Sequence, residues 1–150
     1  MKYQTSITVA VPLNRFVELL DNPENMRHWQ RGLQSYELLQ GDPGTEGATM
    51  RLDYLHGKKA MSLVETITKN NLPHEFSATY ECPGVWNHVI NRFHENAQGQ
   101  TVWEADNVFK FTGMMRLMSW FMPTSMFKKQ SCQYLADFKA FAEGGRPLAD

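Results

Sequence analysis

Glu65 is the side chain whose position most invites chemistry. In Lys59–Lys69, KAMSLVETITK, strand alternation puts Met61, Leu63, Glu65 and Ile67 on one side and Ser62, Thr66 and Thr68 on the other. A carboxylate on the apolar side points into the protein, where it must find partners or hold a raised pKa. Asn87, Asn91 and Asn107 follow on later strands, on faces that also read as inward. A few polar groups in an apolar pocket orient a ligand or move a proton, which makes Glu65 the candidate acid or base, with Tyr80 or the asparagines polarising a substrate. The plainer alternatives are a structural hydrogen-bond network, or a register that leaves Glu65 at the solvent edge.

No other grouping carries a reaction. His28, His56, His74, His88 and His94 form no H-x-H or i, i+4 pair. His88 and His94 share a strand face with Trp86, Ile90 and Arg92, but roughly 20 Å separates them, too far for one metal. They read as surface histidines, and no metal site is expected. Cys82 and Cys132 make neither a disulfide framework nor a metal-ligand spacing. No serine sits in G-x-S-x-G, and Gly41, Gly44 and Gly47 are turn glycines, so no nucleotide or other cofactor is expected.

The elements that must position Glu65 are mostly strands. Lys2–Val11 alternates, with Tyr3, Thr5, Ile7, Val9 and Val11 inward. After Pro12, Leu13–Leu20 has helical spacing. Asp21-Asn22-Pro23 then breaks that helix and caps a second, Glu24 to about Gln30. Strands are predicted at Leu33–Gln40, Ala48–His56, Lys59–Lys69, Glu75–Cys82, Trp86–Glu95 and Thr101–Phe111, separated by turn-rich segments. Met50, Leu52 and Tyr54 share a face, as do Phe76, Ala78, Tyr80 and Cys82, and as do Trp103, Ala105, Asn107, Phe109 and Phe111. The stretch Gly113–Glu143 follows. In it Phe127, Tyr134, Phe138 and Phe141 recur at helical spacing, Pro123 breaks the helix, Thr124 is placed to cap the second piece, and Gly144-Gly145 ends it. A helix with so apolar a face must lie on the sheet. Seven antiparallel strands, two short helices after the first and one long C-terminal helix make an α+β domain spanning 1–150.

Net charge is −1 with no basic cluster, which gives nothing for nucleic acid to bind. The alternating N-terminus is no signal peptide, and no apolar run approaches the ~20 residues of a membrane span. The expectation is a reduced, cytoplasmic protein, monomeric or a weak homodimer.

The element order, Asp21-Asn22-Pro23-Glu24 leading to Trp29, Gly41 through Gly47 before ATMRL, and LVETITKNNLP ahead of a strand together resemble the START-like (SRPBCC, polyketide cyclase/dehydrase-like) superfamily with its helix-grip fold. The resemblance covers nearly the whole chain. It implies a mostly apolar cavity between sheet and C-terminal helix that carries a lipid, sterol or polyketide, or in some branches catalyses cyclisation. It also raises a protein-interaction role of the co-chaperone kind. Residues expected to line the cavity are Tyr54, Leu63, Glu65, Tyr80, Asn87, Asn91, Trp103, Asn107, Met118, Phe121, Met122, Phe127 and Tyr134. The partner expected is a hydrophobic small molecule. Met114, Met115, Met118, Met122 and Met126 cluster around Trp120, Phe121 and Pro123, and three readings stand for them: core packing, an adaptable cavity entrance, or an exposed patch for a membrane or protein partner.

Overall fold

The computed structural model describes residues 1–144. Seven strands, β1 (Lys2–Val9), β2 (Leu33–Gln40), β3 (Thr49–His56), β4 (Lys59–Asn71), β5 (Glu75–Cys82), β6 (Val85–Glu95) and β7 (Thr101–Phe111), form one antiparallel sheet in the order β1-β7-β6-β5-β4-β3-β2. Every consecutive pair from β2 to β7 is a neighbour, as short connections favour, and β1 closes against β7. Helices α1 (Leu13–Leu20) and α2 (Met26–Trp29) follow β1, and α3 (Met114–Ser119) and α4 (Thr124–Ala142) follow β7.

The local chemistry of the helix ends explains their bounds. The Leu13 N–H donates to Glu95 Oε1 at 2.8 Å, so a distant carboxylate supplies the cap that Pro12 lacks. Asn22 accepts from the Glu24 N–H at 3.0 Å with Pro23 behind it, but the expected second helix divides into a 3-10 turn, Pro23–Asn25, and α2. Pro123 separates α3 from α4 as expected. Thr124, expected to cap α4, is instead its first residue and makes no capping bond. Gly144 adopts φ 78° and donates to the Phe141 carbonyl, which ends α4. Gly145 lies outside the described residues.

One end of the grip is packed solid. Phe16 of α1, Phe138 of α4, and Phe93 and Trp103 of the sheet meet with ring centroids 4.9–5.9 Å apart, mostly edge-on, and Trp29 joins Phe138 at 5.1 Å. Val9, Leu19 and Leu135 complete this buried cluster. Polar ties fix α4 over β1: the Tyr3 hydroxyl donates to the Phe127 carbonyl at 3.2 Å and bonds Ser131 Oγ at 2.6 Å, and Lys139 Nζ donates to the Thr8 carbonyl at 2.7 Å. No described helix is long and apolar enough to cross a membrane.

Candidate functional site

Antiparallel register decides which side chains stand together. Met50 pairs with Glu65, Glu65 with Tyr80, Tyr80 with Asn87, and Asn87 with Phe109, which lines up five side chains across the concave face. The next row toward the β5–β6 turn holds Leu52, Leu63, Val85 and Phe111. On the other side lie Ala78, Val89, Asn107 and Tyr3. Glu65 therefore faces inward among apolar neighbours.

Met50, Leu63, Glu65, Tyr80, Asn87, Phe109 and Phe111 are only half-buried, although five of the seven strands' worth of neighbours surround them. These side chains stand on the face that α4 covers at β1 and still keep some surface. Farther along the same face, Asn91, Phe93, Trp103 and Ala105 are buried. The concave side is thus closed by aromatic packing at one end, while its side chains are only half-buried toward the other.

Four ionisable groups influence one another on this face. Burial raises the Glu65 carboxyl, and its interaction with the Tyr80 hydroxyl opposes that only in part. Burial, then the Glu65 charge, push Tyr80 well above the usual phenol range. Tyr54 is raised by burial and by neighbouring Tyr134 and Glu65, and its hydroxyl donates to Gln30 Oε1 at 2.6 Å. Tyr134, on α4, is raised by burial and by Asp137, with Arg31 acting in the opposite direction. Residual surface on Glu65 and Tyr80 coexists with dominant desolvation because that surface faces the concavity and not open solvent. A carboxyl whose pKa is raised holds its proton more readily than an ordinary one, and in that protonated form it donates a hydrogen bond or a proton.

The remaining candidates divide. Phe127 lies over Phe109 and Phe111 at 5.1 and 5.8 Å, so it covers the sheet on the side of Asn87 where β7 lies. Asn87 Nδ2 donates to the Val108 carbonyl at 3.2 Å. Asn107 is buried on the same face. Asn91 belongs to a satisfied structural network: Trp103 Nε1 donates to its Oδ1 at 2.9 Å, and its Nδ2 donates to the Phe76 carbonyl at 3.1 Å. With Trp103 in the aromatic cluster, this pair packs the closed end. Met122 is half-buried, whereas Met118 and Phe121 project to solvent, Phe121 with 87% of its surface exposed. Of the methionines, Met114, Met118 and Met126 are exposed, so core packing does not describe the segment.

Sequence reading missed the pair that locates Tyr134. Arg31 Nε and Nη2 donate to Asp137 Oδ2 and Oδ1, both at 2.9 Å, and Gln133 Nε2 also donates to Oδ1 at 2.9 Å. Asp137 is buried, and its signal was available: a carboxylate inside the apolar face of Tyr134, Leu135, Phe138 and Phe141. A recess of about 140 Å³ lined by Arg31, His56, Gln130, Gln133 and Tyr134 opens beside this pair. Among the described residues no three His, Cys, Asp or Glu side chains gather as a metal site.

No family model matches the sequence, and no curated protein matches it. Solved structures do. A conserved protein from Geobacillus kaustophilus superposes with TM-score 0.79 at 14% identity, covering 96% of each chain. Ara h 8.0201 gives 0.76 at 13% identity, covering 97% of this chain and 99% of its own. The di-domain ARO/CYC StfQ from the steffimycin biosynthetic pathway gives 0.69 at 14% identity, covering 94% of this chain and 44% of that one. These superpositions extend over nearly the whole of this chain, and the chain, a seven-stranded antiparallel sheet with short helices after the first strand and a long C-terminal helix, has the helix-grip fold.

Proposed function

We propose that the protein binds a hydrophobic small molecule carrying a polar group, in the groove between the concave sheet face and α4. One observation carries the reading: Glu65 and Tyr80 stand directly opposite each other, mid-sheet, in a half-buried row that is otherwise apolar except for Asn87. An apolar body fits Met50, Leu63, Phe109, Phe111 and Phe127, while the Glu65 carboxyl and the phenols engage its polar end. The likeness in fold to the di-domain ARO/CYC StfQ from the steffimycin biosynthetic pathway supports a small-molecule ligand. A second reading, acid–base turnover through Glu65, draws on the same pair, because a carboxyl with a raised pKa beside a phenol can donate and recover a proton.

Matched ligands test the binding reading. 2-Naphthol and naphthalene differ by one hydroxyl, so a site that reads polarity prefers the former by roughly five- to tenfold, the worth of one neutral hydrogen bond. Titration calorimetry on the intact protein and on Glu65→Leu with Tyr80→Phe should show that preference lost while naphthalene binding persists. Failure of both ligands to bind, or an unchanged preference in the double variant, defeats the proposal.

A further inference from the structure

The net charge of −1 conceals a partition. From Asn107 to Ala136 the chain has four Lys and Arg and no Asp or Glu. Lys110 lies over the Trp86 ring at 4.8 Å on the convex face, which leaves Arg116, Lys128 and Lys129 on the segment around Pro123. All three are exposed, and among the described residues none takes part in an ion pair. The same segment holds Met114, Leu117, Met118, Trp120, Phe121 and Met126, six of the ten large apolar side chains that are exposed among the described residues. Trp120 is 76% exposed. Exposed apolar and cationic side chains thus stand together along one stretch of chain with no acid among them.

We propose that this segment docks the protein on an anionic lipid bilayer, with Trp120 and Phe121 inserted at the interface and Arg116, Lys128 and Lys129 against lipid phosphates. The chemistry of the three kinds of side chain matches the layers of a membrane surface: aliphatic and aromatic groups at the acyl boundary, an indole at headgroup level, cations outside it. Shape argues the same way. Trp120 and Phe121 project from the short connection between α3 and α4, and a deformable bilayer accepts projecting rings, where a rigid protein partner must offer matching holes. A second copy of this chain is disfavoured, since a two-fold contact on this surface sets three cations against three. Placement adds a consequence. Met115 packs on Gly84 in the β5–β6 turn, so α3 sits at the grooved end of the sheet, and docking brings that end to the lipid. The docking itself does not depend on what the groove binds.

The test is flotation of the full chain with vesicles of phosphatidylcholine alone or with added phosphatidylglycerol, at low and high salt, without any added ligand. Protein should float with the anionic vesicles at low salt and less at high salt, with a blue shift of tryptophan emission. Trp120→Phe should keep flotation and lose most of the shift. Phe121→Ser, and separately Arg116→Glu with Lys128→Glu and Lys129→Glu, should each reduce flotation by about tenfold or more while thermal melting is unchanged. These substitutions fall on exposed side chains, so folding is expected to survive; a reversal at Lys58 and Lys59, exposed on the β3–β4 turn, is the control and should leave flotation intact. No flotation with anionic vesicles overturns the proposal. So does equal flotation of the charge-reversed protein, or concentration-dependent dimerisation in sedimentation that Phe121→Ser abolishes.

Discussion

At the scale of single residues, Glu65 sets the pH behaviour. Its folded-state pKa is raised by burial, so folding favours the protonated form. The sign follows from linkage: relative stability is greatest below the ordinary carboxylate value and is lost as pH rises from there through the raised value, after which it is level. Glu65→Leu removes the ionisation and fills the place with apolar volume, which for a poorly paired buried charge is neutral or stabilising. Urea unfolding at pH 4 and pH 8 should therefore show Glu65→Leu equal to or more stable than the parent at pH 8, by about 1 kcal/mol, with the gap smaller at pH 4. A variant clearly less stable at pH 8 would make Glu65 part of a satisfied network, as Asn91 is.

At the scale of elements, α3 and α4 share one stretch of chain but are held very differently. Four polar ties and the Phe138 cluster fix α4, through Tyr3, Ser131, Asp137 and Lys139. Among its residues α3 has Met115 as its half-buried apolar anchor, seated on Gly84. Gly84 has φ 79°, and a Cβ there would lie 2.7 Å from Met115 Cγ. Gly84→Ala thus strains the turn and displaces the anchor at once, at a cost of about 1 kcal/mol. Hydrogen exchange should already be faster across Met114–Ser119 than across Leu135–Ala142, and Gly84→Ala should speed the former and leave the latter unchanged. Equal protection of the two helices in the parent would contradict this division. Alternation and turn chemistry made the elements themselves legible: Leu33–Gln40, Glu75–Cys82 and Thr101–Phe111 end where their turns begin. Composition could not tell whether the methionines had anything above them. That is decided by where α3 lands, and local pattern is silent on it.

Across the whole molecule, the inward set was readable but its division was not. Alternation assigned Glu65, Tyr80, Asn87, Asn91, Trp103 and Asn107 to one face. Only the registers of the adjoining strands show that Asn91 and Trp103 share a hydrogen bond in the closed end while Glu65 and Tyr80 pair toward the other end, half-buried. The bidentate link from Arg31 to Asp137 spans more than a hundred residues and has no local signature beyond the carboxylate itself. The resulting asymmetry, one end fully buried and the other half-buried, has an energetic consequence. Leu135 is 5% exposed within the aromatic cluster, whereas Leu63 keeps surface in the groove. Identical truncations should then cost different amounts: about 2–4 kcal/mol for Leu135→Ala, where a rigid cavity remains, and about 1 kcal/mol for Leu63→Ala, where solvent already reaches the side chain. Chemical denaturation of the two variants measures both. A bound apolar ligand should reverse the order of interest, since Leu63→Ala then loses contacts with the ligand as well and its stabilisation by that ligand shrinks, while Leu135→Ala is stabilised as much as the parent. Equal costs in the free protein would mean that Leu63 lies in a second packed core, and the groove would have no place on the concave face.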